Sequence, residues 1–341
     1  MTVGVEGRAL GALIGLAVGD ALGMPTQSLD RARIARLYGR LDGLVDAVDE
    51  QPIAPGMPAG SVTDDTEQAL LVADLLIEGN GRVEPRAFAD ALISWERAMR
   101  SRGSLDLLGP STKAAVSAIA AGEDPSQAGL GGTTNGAAMR VAPVAVAVPP
   151  LPSEKLVSAV HSLSHVTHNS GIALAGAAAI AGAVSAGVDG SGLGDALDHG
   201  LTLADRAATA APWVAGASIG AKSRWALRSS ADLGEDALAD FVVDLVGTSV
   251  LAQESVVAAL VIADRYRDHP FDGLCFAARI GGDTDTVAAM AGAVLGSVHG
   301  PDAFDAETVD QVLAVSRLDL EPVVAGLLEL RGTHVCESYD R

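Results

Sequence analysis

Two short stretches carry the side chains best suited to chemistry: Ser61-Val62-Thr63-Asp64-Asp65-Thr66 and Gly281-Gly282-Asp283-Thr284-Asp285-Thr286. In each, carboxylates and a hydroxyl sit where an apolar helical pattern begins. After the second, Val287, Met290, Ala291, Val294, Leu295 and Val298 recur at the spacing of one buried helical face. After the first, Ala69, Val72, Leu75 and Leu76 do the same. Hard divalent cations such as Mg²⁺ take oxygen ligands from carboxylates, hydroxyls and water. Thr63, Asp64, Asp65, Asp283, Asp285 and Thr286 form such a set. If the two stretches meet, four negative charges repel within a few ångströms, and two divalent cations neutralise them. The alternative is that each pair caps its own helix, where a carboxylate is favoured by the free N–H groups and the helix dipole. Asp64 with Glu67 also fits a capping box. The residues alone leave both readings open.

Two further groups hold candidate ligand contacts. The loop from Gly129 contains Gly131, Gly132, Thr133, Thr134, Asn135 and Gly136 and opens a helix at Ala137. A glycine-rich turn into a helix start presents backbone N–H groups to an anion and allows close approach. It is not a GxGxxG fingerprint and follows no strand, so a dinucleotide fold gains little from it. His161, His165 and His168 stand at helical spacings of four and three, but the carboxylates supply a better metal set, and these histidines read as packed or hydrogen-bonded residues.

The elements that must position these groups read as helices. The 341 residues include only three Trp, three Tyr and five Phe against abundant Ala and Gly, a composition that favours close-packed helices over strands. The periodicity predicts helices at 6–22, 30–37, 64–78, 85–100, 111–121, from 137, from 153, and at 169–187, 193–210, 213–229, 235–247, 253–268, 283–299, 303–315 and 320–331. Residues 40–60, with Pro52, Pro55 and Pro58, read as one long loop leading straight into Thr63. No repeat or linker asks for a second domain; residues 1–331 read as one all-α domain and 332–341 as a loose tail.

The formal charge of −20 disfavours a nucleic-acid or anionic-membrane partner. Cys275 and Cys336 show no CxxC or Cys/His spacing, which fits a reducing, cytoplasmic setting. Residues 9–19 have the length of a signal-peptide core, yet Gly19-Asp20 follows at once and a buried helix is the better reading. The uncharged run from Asn169 to Val188 is mostly Ala and Gly, an interior helix and not a membrane span. Oligomeric state is left as monomer or small homo-oligomer.

Five motifs in order resemble the ADP-ribosylglycohydrolase family: Gly15 to Pro25 (GLAVGDALGMP), Ser61 to Thr66 (SVTDDT), Thr134 to Pro143 (TNGAAMRVAP), Thr167 to Gly171 (THNSG) and Gly281 to Thr286 (GGDTDT). The resemblance implies an all-helical orthogonal bundle with a two-metal centre in a cleft, Mg²⁺ or Mn²⁺, whose ligands map to Thr63, Asp64, Asp65, Asp283, Asp285 and Thr286. It implies cleavage of the N- or O-glycosidic bond at the anomeric carbon of a ribose in a small or protein-linked ADP-ribosyl compound. Asp64 or Asp65 would orient the attacking water as catalytic residues. Gly132, Thr133, Thr134, Asn135, Gly136 and His168 would line the substrate cleft, and Asp20 would be structural. One position departs from the pattern. Seven residues after Asp20 the glycohydrolases usually carry a glutamate, and this chain has Gln27. An amide can hydrogen-bond a ribose or leaving group but cannot carry a proton through turnover. Three outcomes follow: another carboxylate does the acid/base work, the glycoside differs, or the protein binds ADP-ribose or a nucleotide with little turnover, as non-enzymatic family members do. A two-metal phosphohydrolase acting on the diphosphate is a third class.

Overall fold

The computed structural model describes residues 3–102 and 108–339, the last six of these for backbone only. Among the described residues the regular structure is helical, with three isolated bridges and no extended strand.

Two antiparallel helices, Val5–Gly23 and Thr284–His299, form the centre. They meet along a seam of small residues at every fourth position. A Cβ on Gly15 would lie 2.1 Å from the Gly292 carbonyl oxygen, and one on Gly292 would lie 1.9 Å from that of Gly15. Gly11 and Gly296 stand in the same relation one turn away, and a Cβ on Gly19 would lie 2.2 Å from the Ala288 oxygen. At these distances the backbones themselves are in contact, which only residues without a Cβ permit. The seam ends at Gly23, whose missing Cβ would fall 2.4 Å from Asp285 Cα. The C-terminal end of the first helix therefore delivers Asp20 and the following turn to the start of the second.

The helix Gly171–Val188 is buried along its whole length and packs on Leu193–Ala207, where Gly200 lies under the Ala179 carbonyl. This helix and the stretch Val5–Thr26 are long and apolar enough to span a membrane, but both are interior here, 100% and 94% buried. The expectation that each is a core helix agrees with that packing.

Several boundaries differ from the periodicity. The expected 213–229 helix begins only at Ile219, and Trp213 is exposed on the irregular stretch before it. Gly216 there lies close to Ile172 and Gln253, an approach that a side chain would block. The 235–247 helix closes as a wider turn over Val242–Val246. The helix Pro270–Arg279 was not anticipated, although Pro270 occupies the first-turn position that proline favours. The last helix runs Glu321–Tyr339, past the residue 331 at which the sequence pattern ended it; residues 340–341 and the Cys336 side chain lie outside the described residues. Residues 40–60 form no helix, as expected, and are pinned by buried Gln51. Its amide donates to the carbonyls of Met24 and Gln27, and its oxygen receives the Ile53 and Ala54 N–H groups.

Candidate active site

The helix Asp64–Glu78 begins at Thr63, yet neither acid at its start caps it. The cap comes from a different helix. Asp20, fully buried, accepts the Thr63 and Thr66 N–H groups at 3.0 and 3.1 Å and both threonine hydroxyls at 2.7 and 2.5 Å. Burial still outweighs these four bonds and pushes its carboxyl up to about 6. The anticipated capping box is absent, because Glu67 turns outward to the Trp95 ring N–H and Arg102. The Thr63 and Thr66 N–H groups are thus served from outside the stretch and not by Asp64 or Asp65. Asp64 accepts the Gln68 amide at 2.9 Å one turn along.

The downstream start is held by its backbone. Gly281 and Gly282 have φ of 84° and 86°, a conformation that only glycine adopts readily. Gly282 pairs with the turn after the first helix, its carbonyl accepting from Ser28 N–H at 2.7 Å and its N–H donating to the Leu29 oxygen at 2.9 Å. Asp283 N–H donates to the Thr248 carbonyl at 2.7 Å. Thr284 bonds the Gly23 carbonyl and the Thr26 hydroxyl. Asp283 does not cap; its carboxylate accepts the Asn135 amide at 2.5 Å. Asp285 accepts the neighbouring Thr286 N–H at 2.9 Å.

The two starts meet. Asp65 takes hydroxyl contacts from Thr63 at 3.2 Å and from Thr286 at 3.3 Å, so its Oδ2 joins both stretches. Its carboxyl is held well above the usual range, first by burial and then by Asp285, Asp20, Asp64 and Asp283. Asp283 is raised by burial, against the pull of its hydrogen bonds. At the first start the cap is Asp20 and not an acid of the stretch; at the second the N-cap residue Asp283 makes no cap bond and Asp285 takes one first-turn N–H, that of Thr286. The arrangement nonetheless falls short of a formed metal centre: among the described residues no three His, Cys, Asp or Glu side chains are placed to hold an ion together. The expected binuclear site in a cleft is therefore a gathering of oxygen donors turned to amide and hydroxyl partners. The donor set still fits hard divalent cations. All of its atoms are oxygens, and the fully buried Asp65 Oδ1 has no hydrogen-bond partner, which is costly unless something positive or protic meets it.

Gln27 lies between Thr26 and Ser28, which bond Thr284 and Gly282, so its turn is stitched to the second acidic stretch. Its side chain is buried and its amide nitrogen has no partner. A cavity of about 630 Å³ adjoins Thr63 and Glu67, walled by Ile53, Met57, Val62 and Arg317 among others.

The glycine loop offers fewer free N–H groups than its sequence suggests. Gly132 N–H is taken by the Gly129 carbonyl and Asn135 N–H by that of Val250, while the Thr133 carbonyl accepts from Ala252. Gly132 presses on the Thr167 carbonyl, where a Cβ would lie 2.5 Å away. Gly136 makes room for the His168 ring, since a Cβ there would lie 2.9 Å from Cε1. His168 is fully buried, with Nδ1 at 2.8 Å from the Thr167 hydroxyl and Nε2 at 2.9 Å from that of Thr134. Its reach to a ligand thus passes through Thr134, which is half-exposed. Burial, then the Arg140 charge, holds its pKa well below the usual value, so it is neutral. His161 and His165 stack on each other, apart from these residues.

Three residues outside the expected site set tie the site together: Arg140 and Thr167, inside two of the motifs, and Gln68, just past the Ser61 to Thr66 motif. Buried Arg140 donates to the Gln68 amide oxygen and to the Thr167 hydroxyl, both at 2.6 Å, and lies over the Phe88 ring at 5.0 Å. Gln68 stood one helical turn after Asp64, a visible signal; Arg140 and Thr167 find partners only through the tertiary fold.

Comparison with known proteins gives the family and the fold of the chain as a whole. A family model described as ADP-ribosylglycohydrolase matches residues 1–335. An Escherichia coli protein, YegU, described as uncharacterized, is 33% identical over 327 residues, covering 95% of this chain and 97% of that protein. A Pseudomonas putida protein described as ADP-ribosylarginine hydrolase Tri1 is 29% identical over 315 residues, 89% of this chain and 74% of its own. A solved structure titled ADP-ribosylglycohydrolase-related protein complex superposes with a TM-score of 0.68 at 26% identity, covering 96% of this chain and 98% of that one.

Proposed function

The chain belongs to the ADP-ribosylglycohydrolase family, and from that premise we propose that it is a divalent-metal-dependent hydrolase of the N- or O-glycosidic bond at the anomeric carbon of a ribose in an ADP-ribosyl or related ribosyl compound. The observation that carries the reading is Asp65: a buried carboxylate, one oxygen unpartnered, amid four other carboxylates. Such a group is tolerable when a cation or a proton shared with substrate or water meets it.

Thr63, Asp64, Asp65, Asp283, Asp285 and Thr286 would hold two divalent cations, Mg²⁺ or Mn²⁺, which when bound supply charge neutralisation and a more acidic water. Asp64 or Asp65 orients the attacking water and accepts its proton as the anomeric carbon gains oxocarbenium character. Asp20 takes no part in the proton transfer; it holds Thr63 and Thr66 so that the acids keep their places. The stretch Gly132 to Gly136 holds the diphosphate or ribose, and Asn135 keeps Asp283 oriented. Gln27 donates an amide hydrogen bond to a ribose or leaving-group oxygen and carries no proton, so protonation of the leaving group falls to water or to one of the aspartates. The cavity beside Thr63 has room for a leaving group.

Assaying a panel of ADP-ribosyl conjugates with and without Mg²⁺ and Mn²⁺ tests this, beginning with an arginine-linked one in view of the Pseudomonas relative. Release of intact ADP-ribose or a smaller ribosyl product only with metal is the expected result. No turnover of any conjugate overturns it, and AMP among the products moves the chemistry to phosphate. The second reading, an ADP-ribose- or nucleotide-binding protein with little turnover, is favoured by one observation, the unpartnered Gln27 amide where the family's glutamate would stand. A large gain of activity in Gln27→Glu at unchanged affinity decides for it.

A further inference from the structure

A single file of hydrogen bonds, buried along its middle and part-buried at its two ends, joins the acidic cluster to the glycine loop: Asp64, Gln68, Arg140, Thr167, His168, Thr134. We propose that Arg140 sets the direction of every bond in this file and so makes the Thr134 hydroxyl an obligate donor, which selects an acceptor oxygen on the ligand, an acidic oxygen of the diphosphate. The ligand half of this inference rests on the functional reading above; the bond directions do not.

The direction follows from counting hydrogens. A guanidinium only donates, and the Arg140 pKa, lowered by burial to about 10, leaves it charged at neutral pH. Gln68 must therefore turn its oxygen to Arg140, which leaves its NH₂ for Asp64 and keeps that carboxylate an acceptor. On the other side Arg140 Nη2 donates to Thr167 Oγ1, so the Thr167 hydrogen needs another acceptor. Thr167 is fully buried, and among the described residues the remaining partner of its hydroxyl is His168 Nδ1. Were Nδ1 protonated, the Thr167 hydrogen would be stranded in the interior, an arrangement that buried polar groups avoid. Nδ1 is thus the acceptor, the neutral ring carries its hydrogen on Nε2, and that hydrogen goes to Thr134 Oγ1. The Thr134 oxygen accepts from Nε2, and its own hydrogen, for which the described residues show no acceptor on this half-exposed side chain, is left for the ligand. A ribose hydroxyl can turn to suit either role, whereas a phosphoryl oxygen only accepts, and its charge strengthens the bond. The ring is held in line by a bond at each nitrogen, in a place that Gly136 keeps open by having no Cβ.

The test has two arms. In the full-length protein labelled with ¹⁵N-histidine, the His168 signals are expected to show a protonated Nε2 and a bare Nδ1 near neutral pH. Protonation at Nδ1, or at both nitrogens, overturns the proposal without recourse to any variant. In a folded Arg140→Lys variant, which lacks the fork that serves Gln68 and Thr167 together, a mixture of tautomers is expected; an unchanged Nε2–H signal removes Arg140 as the positioning residue. Calorimetry with ADP-ribose and Mg²⁺ is the second arm. Thr134→Val is expected to weaken binding about tenfold and Thr134→Ser to stay within about twofold, since serine keeps the donor. Equal affinity of Thr134→Val and the parent overturns the ligand half while leaving the functional reading intact. If the parent itself binds no ADP-ribose, the ligand half falls, the conjugate assay decides the functional reading separately, and the tautomer still decides the bond directions.

Discussion

The two acidic helix starts carry nearly the same letters and are held by opposite means. At Ser61 to Thr66 the backbone donors of Thr63 and Thr66 are satisfied by a foreign side chain, Asp20, and not by the acids of the stretch. At Gly281 to Thr286 the anchoring is done by backbone: two left-handed glycines, with Gly282 bonded to Ser28 and Leu29 and the Asp283 N–H to Thr248. The lesson is that a carboxylate at a helix start becomes available for chemistry only when something else takes over the cap or fixes the entry. The first half of the site should then be sensitive to side-chain chemistry, and the second to any added bulk.

The largest effect separating the halves is expected at Gly282→Ala. Its Cβ would lie 2.3 Å from the Thr248 oxygen at a φ of 86°, so strain and displacement together should cost about 3 kcal/mol or more. Urea unfolding measures it, and an unaltered midpoint would show that the backbone is not the anchor. Next in size is the response to Mg²⁺ or Mn²⁺. If both halves serve one site, cation at a hundredfold over its Kd should raise stability by about 2.7 kcal/mol. The rise should vanish in Asp65→Asn with Asp283→Asn; a thermal shift that survives in the double variant refutes the ligand set. Asp20→Asn should cost about 2 kcal/mol, because the amide turns donors toward the Thr63 and Thr66 N–H groups. Loss of stability without loss of helix elsewhere, read by hydrogen exchange at Thr63 to Thr66, would mark it as the cap; unchanged protection there would not. The smallest stability effect belongs to Asp64→Asn, within about 1 kcal/mol, since Gln68 can still donate to the new carbonyl. Hydrolysis should nonetheless fall sharply, and retained turnover would shift the water-orienting role to Asp65.

Much of this was legible in the letters. The apolar spacing after Asp65 and Asp285 placed both acids at helix starts, and scarce aromatics with abundant Ala and Gly gave the all-α class. What stayed hidden depends on distance along the chain. Nothing near Asp20 announces that it serves Thr63 and Thr66, more than forty residues on. Arg140 and Thr167 lie inside visible motifs, but their joint action needs the fold to close the gap of 27 residues between them. The free N–H groups expected of the glycine loop were partly claimed by Gly129 and Val250, bonds that no local pattern encodes. Pro270 was readable as a helix start and was passed over.

The glycine seam between Val5–Gly23 and Thr284–His299 carries a consequence for altering this protein. With main chain resting on main chain from Gly11 to Gly23, the two helices have no side-chain cushion through which a substitution could be absorbed. Asp20 and Asp285 are therefore mounted on one stiff girder, and attempts to retune the site by mutating that girder should yield insoluble protein before altered selectivity. Libraries aimed at new substrates belong instead in the exposed positions of residues 40–60, a segment held to the fold through Gln51, Val48 and Gly60 and not through the girder.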